Sequence, residues 1–320
     1  MPQNRTINIV GGNTVGYVGE KCDELLIADS FRRIGYKVNF VPRDQWKAFV
    51  DGHEPNADWV LPIESDINII CKWHHFNDSK YISKLREMSD APVFYWTWDF
   101  MDYDGFHYNM AEACDLLLTN DGVGRVPKNI KHHYFPFDVA DGSLDHFQTE
   151  KIYDVVFFGS HMKKGDRVEW IKDINKKNHV TIFSWNYQEW QKEGLTAYPA
   201  VYGDEFSKVV AQSKIILQFS VNDHYWGYWS NRVGKVLTLG GFLLARYAPG
   251  MELFLRDGVE YFSSVEEANE KIDYFLHSPN SLREVQIRGQ FIGRERFTVD
   301  QRIKDLSIVI ERFLKGYRAI

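Results

Sequence analysis

Apolar residues along this chain follow two alternating rhythms: short β-branched runs that end in glycine or a polar loop, and longer stretches with an apolar residue every third or fourth position. Thr6 to Val10 is the first short run, and it ends in Gly11-Gly12-Asn13-Thr14-Val15-Gly16. Leu25, Leu26, Phe31 and Ile34 follow at helical spacing and stop at Gly35, after which Tyr36 to Val41 reads as a second strand. This β-loop-α-β unit opens a parallel sheet. Further strands are expected at Trp59–Ile63, Asn68–Cys71, Val93–Trp96 and Leu116–Thr119, with a helix carrying Tyr81, Ile82, Leu85 and Met88 before Pro92. Tyr134 to Asp138 closes this first domain, placed at residues 1–145, and a polar stretch from Ala140 to Lys151 reads as the linker.

The pattern then restarts. Strands are expected at Tyr153–Phe158, Val180–Phe183, Lys214–Phe219 and Phe242–Ala245, and helices at Arg167–Ile174, Phe206–Gln212, Val265–Leu276 and from Leu282 onward. This second domain is placed at 151–298. Residues 299–320 hold a closing helix, with Ile303, Leu306, Ile310 and Phe313 on one face. Two doubly wound α/β domains in tandem fit the pattern best, and 320 residues suit two cores better than one.

Composition narrows the function classes. A formal net charge of -6 argues against a protein whose main business is covering a nucleic-acid backbone, although a local basic groove stays open. Cys22, Cys71 and Cys114 are odd in number with no close-spaced pair, which suits a reducing compartment and excludes a structural zinc knuckle. Met1 to Asn13 lacks signal-peptide form and nothing later reaches a membrane-spanning length, so a cytoplasmic protein is expected.

Candidate chemistry concentrates between Ser230 and Glu252. Ser230, Asn231, Arg232 and Lys235 precede an apolar helical turn that Gly240-Gly241 breaks, and a Pro249-Gly250 turn with Glu252 follows the next strand. Helix starts carry unpaired N–H groups and a positive dipole end, so the segment suits a diphosphate, with a carboxylate behind it for sugar hydroxyls. Arg232 and Lys235 share a helix face, where cations oppose the dipole unless an anion joins them; the alternative is an ordinary surface pair. Gly11, Gly12, Gly16 and Gly19 lack the spacing of a dinucleotide fingerprint, which leaves either a tight βα turn or a ligand loop of Gly12, Asn13 and Thr14. Asp99 follows the aromatic run Phe94 to Trp98 and is either a general base or a helix cap. Trp185 and Asn186 either stack on and bond a base or pack in the core. His74-His75 and His132-His133 lack convergent ligand spacing, and no metal site is expected.

Asp154-Val155-Val156-Phe157-Phe158-Gly159-Ser160 followed by Arg167, Lys214-Ile215-Ile216-Leu217 before a polar loop, Ser230-Asn231-Arg232 with Gly240-Gly241-Phe242-Leu243-Leu244, and Glu252-Leu253-Phe254 with Gly258 and Ser263 form an ordered set. Over residues 151 to 312 this set resembles the C-terminal domain of CgeB-like, spore-maturation-type glycosyltransferases, within the GT-B superfamily of two Rossmann-like domains facing across a cleft. The resemblance implies a nucleoside-diphosphate sugar as donor, no prosthetic group and no metal. It implies Arg167 and Arg232 as diphosphate ligands beside Gly159, Ser230 and Asn231, and Glu252 as a ribose or sugar ligand. Many relatives carry Glu where this chain has Lys235. A lysine there holds phosphate but accepts no hydroxyl proton, which leaves the sugar and the stereochemical outcome open.

The reaction expected is transfer of a sugar to a hydroxyl on a glycan, small molecule, protein or modified DNA base. Asp99 would take the acceptor proton, with Arg232 and Lys235 stabilising the leaving diphosphate. Lys163, Lys164 and Arg167, or Lys131 with His132-His133, would touch a DNA backbone if DNA is the acceptor. A non-catalytic nucleotide-sugar-binding protein and a sugar-nucleotide epimerase stay open as alternatives.

Overall fold

The computed structural model describes residues 5–12, 23–71, 76, 78–97, 106–122, 124–136, 149–162, 165–220 and 223–316. The chain divides into two compact units, one formed by Met1–Phe137 with Val299–Ile320 and the other by Asp138–Thr298.

The first unit is a six-stranded parallel sheet of β1 (Thr6–Gly11), β2 (Lys37–Pro42), β3 (Ile67–Cys71), β4 (Val93–Trp96), β5 (Leu116–Thr119) and β6 (His132–Tyr134), in the order β2-β1-β3-β4-β5-β6. Its helices are α1 (Asp23–Arg33), α2 (Arg43–Val50), α3 (Lys80–Met88) and α4 (Phe106–Ala113). Three of the four inner strands, β3, β4 and β5, are buried throughout, which is why they read as near-continuous apolar runs.

Three asparagines interrupt those runs in register: Asn8 of β1 lies level with Asn39 of β2 and Asn68 of β3. Asn8 donates to Ile63 O at 2.7 Å and to Asn68 Oδ1 at 2.8 Å, and it accepts from Asn39 Nδ2 at 2.8 Å and from Ile63 N–H at 3.2 Å. Asn39 also donates to Leu61 O at 2.9 Å. These side-chain bonds account for a departure from expectation. Residues 59–63 form no strand, because amides rather than a neighbouring strand bond the backbone of Leu61 and Ile63.

The closing helix α12 (Val299–Leu314) belongs to this first unit. Ile303, Leu306 and Ile310 are fully buried, Ser30 of α1 donates to Asp300 at 2.6 Å, Arg5 donates to Glu311 at 2.7 Å, and Phe313 meets Phe94 edge-on at 4.9 Å. Arg302 lies 4.1 Å from the Phe135 ring and donates to Pro136 O at 2.9 Å.

The second unit is another parallel sheet, of β7 (Tyr153–Phe158), β8 (Val180–Ser184), β9 (Ala197–Pro199), β10 (Ser213–Gln218), β11 (Leu243–Arg246) and β12 (Glu260–Phe262), ordered β12-β11-β10-β7-β8-β9. Its helices are α5 (Arg167–Asn175), α6 (Tyr187–Lys192), α7 (Gly203–Gln212), α8 (Arg232–Thr238), α9 (Met251–Leu255), α10 (Val265–His277) and α11 (Pro279–Arg296). Ile215 and Leu217 of β10 enter one core and Ile216 the other, so apolar layers cover both faces. The expected pair of doubly wound sheets is thus present. Strand order reverses between β7 and β10, and open sheets of this kind bind ligands beyond the strand C-termini at such a reversal.

One packing device fixes α8. A Cβ on Gly289 of α11 would meet Gly258 O at 2.6 Å, and one on Gly293 would meet Thr238 N at 2.5 Å. Bare backbone at these two positions, one helical turn apart, lets α11 lie directly on the end of α8.

Candidate functional site

At the reversal, β7 runs out into Gly159-Ser160-His161. Gly159 N–H donates to Phe183 O at 3.1 Å and Trp190 Nε1 donates to Gly159 O at 3.1 Å. A Cβ at Gly159 would meet the Phe157 ring at 2.4 Å, so the glycine serves the packing of that ring. Asn186 pins the same segment: its Oδ1 accepts from His161 N–H at 2.9 Å and Ser184 Oγ at 2.7 Å, and its Nδ2 donates to His161 O at 2.9 Å. The Asn186 amide is therefore engaged in shaping this segment. Its neighbour Trp185 is 71% exposed just past the end of β8.

Arg167, the first residue of α5, is only 5% exposed. Its Nη2 donates to Ser160 O at 2.5 Å and its guanidinium lies 5.7 Å from the Phe157 ring centroid, but its Nε bonds nothing and no carboxylate pairs with it among the described residues. Burial, and then the positive charge of Arg232, push its pKa down to about 10, with Tyr228 and Asp223 acting weakly in the other direction. The structure thus brings Arg167 and Arg232 together. Arg232 starts α8, where its N–H reaches Ser230 Oγ at 3.4 Å. Asn231 precedes it without a side-chain cap, and Lys235 lies one turn on, half-buried. Two like charges, one of them buried without a counter-ion among the described residues, make a poor resting surface and a good anion receptor.

A third arginine is occupied otherwise. Arg246 ends β11, and its fork donates to both oxygens of Asp166 at 2.5 and 3.0 Å, while Nε pairs with Asp223 at 2.9 Å. The guanidinium also lies 3.9 Å from the Trp170 ring centroid. Arg246 holds the Asp166 carboxyl below its ordinary range, whereas burial pushes Asp223 up. None of these three residues stands out in the sequence, nor does the aromatic loop around buried Tyr228 and Trp229; the available signal is that Arg246 closes an apolar strand at its ligand-facing end.

Glu252 lies exposed in the first turn of α9 near Tyr247 and half-buried Tyr261; burial first, and then the Glu252 charge, raise both phenols. In the first unit Gly12 is buried at the end of β1; at Gly11 a Cβ would meet Glu24 Cβ at 2.8 Å, so helix approach explains that glycine. Asn13, Thr14, His74, His75, Asp99, Lys163 and Lys164 lie outside the described residues. His132 Nδ1 sits 3.0 Å from Ile130 O, and among the described residues no three His, Cys, Asp or Glu side chains converge to hold a metal. No described helix is long and apolar enough to cross a membrane.

Residues 165–307 match a family model described as glycosyl transferase-like. Among proteins of curated function none matches the chain by sequence. Similar solved structures include sucrose-phosphate synthase from Thermosynechococcus elongatus, at TM-score 0.64 and 10% identity over 98% of this chain and 100% of that one. Anabaena Alr3699/HepE in complex with UDP-glucose aligns at TM-score 0.61 and 13% identity, over 96% and 99%. The DNA modifying enzyme β-glucosyltransferase, solved in the presence and absence of its substrate uridine diphosphoglucose, aligns at 0.66 and 13%, over 96% and 99%.

Proposed function

We propose that this chain, a glycosyltransferase with the GT-B fold, uses UDP-glucose or a close relative as donor and holds its diphosphate on Arg167 and Arg232. The observation that carries this reading is Arg167, a buried guanidinium beside a second arginine, in no ion pair among the described residues, at the strand reversal of the second unit. Lys235 adds a third positive charge one turn along α8. Trp185 offers the exposed ring on which the base stacks, and Glu252 the carboxylate for a ribose or sugar hydroxyl.

In this reading the acceptor hydroxyl oxygen attacks the anomeric carbon, the bond to the diphosphate breaks, and the nucleoside diphosphate leaves with the electron pair. Asp99, three residues past β4 in the chain, takes the acceptor proton if the reaction inverts. Arg167, Arg232 and Lys235 stabilise the charge that grows on the leaving oxygens, without reorganising as it grows. Gly12, Asn13 and Thr14 keep their assignment to a phosphate or sugar contact. The finer reading keeps the chain in the CgeB-like subtype, acting in the cytoplasm on a hydroxyl acceptor.

Calorimetric titration of the full chain with UDP, GDP, dTDP, ADP and CDP tests the donor assignment. Preference for UDP, abolished by Arg232→Ala, supports it; absence of binding to all five at millimolar concentration defeats it. Radiolabelled UDP-glucose offered with glycans and with hydroxymethylated DNA then tests the acceptor. Conversion of the donor alone into another sugar nucleotide would make the protein an epimerase.

A further inference from the structure

We propose that Arg246 is a positioning residue: by holding Asp166 and Asp223 it keeps both carboxylates off Arg167, and so leaves that guanidinium to the donor diphosphate. The inference rests on the donor-site reading above. Both acids are close to Arg167, since Asp166 is the residue before it and Asp223 acts electrostatically on it. A buried guanidinium in no ion pair is the natural partner of any carboxylate within reach. Here that pairing is pre-empted. The Arg246 fork takes both oxygens of Asp166, its Nε takes Asp223, and Trp170 backs the guanidinium at 3.9 Å.

The consequence is a competition decided inside the protein. A methionine at position 246 keeps much of the stem that packs on Trp170 but releases two carboxylates beside Arg167. Tethered acids at that range act at high effective concentration, and they would compete with a diphosphate for the same donors. A merely structural role for Arg246 predicts something different: further substitutions around it would deepen the damage. Sequestration predicts that removing the released charges repairs it.

The experiment compares the full chain with Arg246→Met alone and with Arg246→Met combined with Asp166→Asn and Asp223→Asn. UDP affinity is read by calorimetry, and the unfolding midpoint is read without ligand. Arg246→Met is expected to weaken UDP about tenfold, and the triple variant to return to within about threefold of the parent whatever its midpoint. An unchanged affinity in Arg246→Met overturns the proposal, as does a loss that the two asparagines do not restore. If the methionine variant does not fold, Arg246→Lys keeps one charge without the fork; it is expected to weaken UDP about threefold and to be restored by Asp166→Asn, and no restoration overturns the proposal. Failure of the parent to bind any of the five nucleoside diphosphates removes the donor-site reading and this inference with it, a result visible before any variant is made.

Discussion

Gly293 of α11 stands against the backbone of Thr238 at the end of α8, so close that a Cβ would meet the Thr238 nitrogen at 2.5 Å. The helix that starts with Arg232 is therefore located from its far end, by contact with a residue 55 positions beyond Thr238 in the chain. Gly293→Ala forces backbone to move and is expected to cost about 1–3 kcal/mol, measured as the urea midpoint of the second unit. UDP affinity should fall with it, because α8 shifts.

Arg167 trades stability for binding. Its burial and its proximity to Arg232 both disfavour the charged form. Arg167→Met should leave the unliganded unfolding midpoint unchanged or higher, while weakening UDP by about ten- to a hundredfold. A thermal scan with and without UDP checks both halves, and a lowered midpoint without ligand would count against the anion-receptor account.

The base-stacking role proposed for Trp185 can be tested apart from phosphate binding. Being 71% exposed, it contributes little to folding. Trp185→Ala should weaken UDP by about tenfold yet leave inorganic pyrophosphate binding unchanged. Equal losses for both ligands would place the indole elsewhere.

The two carboxylates on Arg246 respond to acid with opposite sign. Asp166 is held below its unfolded pKa, so its stabilisation is present above the ordinary carboxylate range and is lost as pH falls through the lowered value. Asp223 is raised by burial, so it favours the folded state at low pH and loses that contribution as pH rises through its raised value. Asp166→Asn should flatten the acid limb of a stability-versus-pH curve and Asp223→Asn should steepen it. Identical effects would refute the assignment.

Asn8 holds its neighbours together. Fully buried, it bonds Asn39, Asn68 and Ile63. Asn8→Ala leaves several buried polar groups unmet, and should destabilise the first unit by about 3 kcal/mol in urea titration.

Much of this architecture is legible in the sequence because both sheets are parallel and buried on two faces, so apolar runs and turn glycines mark them directly. Arg232 stands out because polar residues precede an apolar turn, and Arg167 only through the resemblance of the Gly159-Ser160 to Arg167 stretch to the family's motif. What stays hidden is whatever joins distant positions. Arg246 meets Asp166 across eighty residues, and no local pattern announces that pair. Trp59 to Ile63 is an apolar run as a strand would be, but Asn8 and Asn39 claim the backbone there. The three-residue strands β6, β9 and β12 are too short to show a period.

The return of α12 to the first unit gives the two units unequal status as pieces of polypeptide. The second unit is one uninterrupted segment and can be excised by two cuts, so its nucleotide affinity is open to measurement on an isolated fragment. The first unit is assembled from both sides of that segment: Ser30, Arg5 and Phe94 find their partners only after the whole guest has been synthesised. Damage to Asp300 or Glu311 would therefore injure the unit that begins the chain, and a fragment ending before residue 299 would expose the face of α1 that α12 covers.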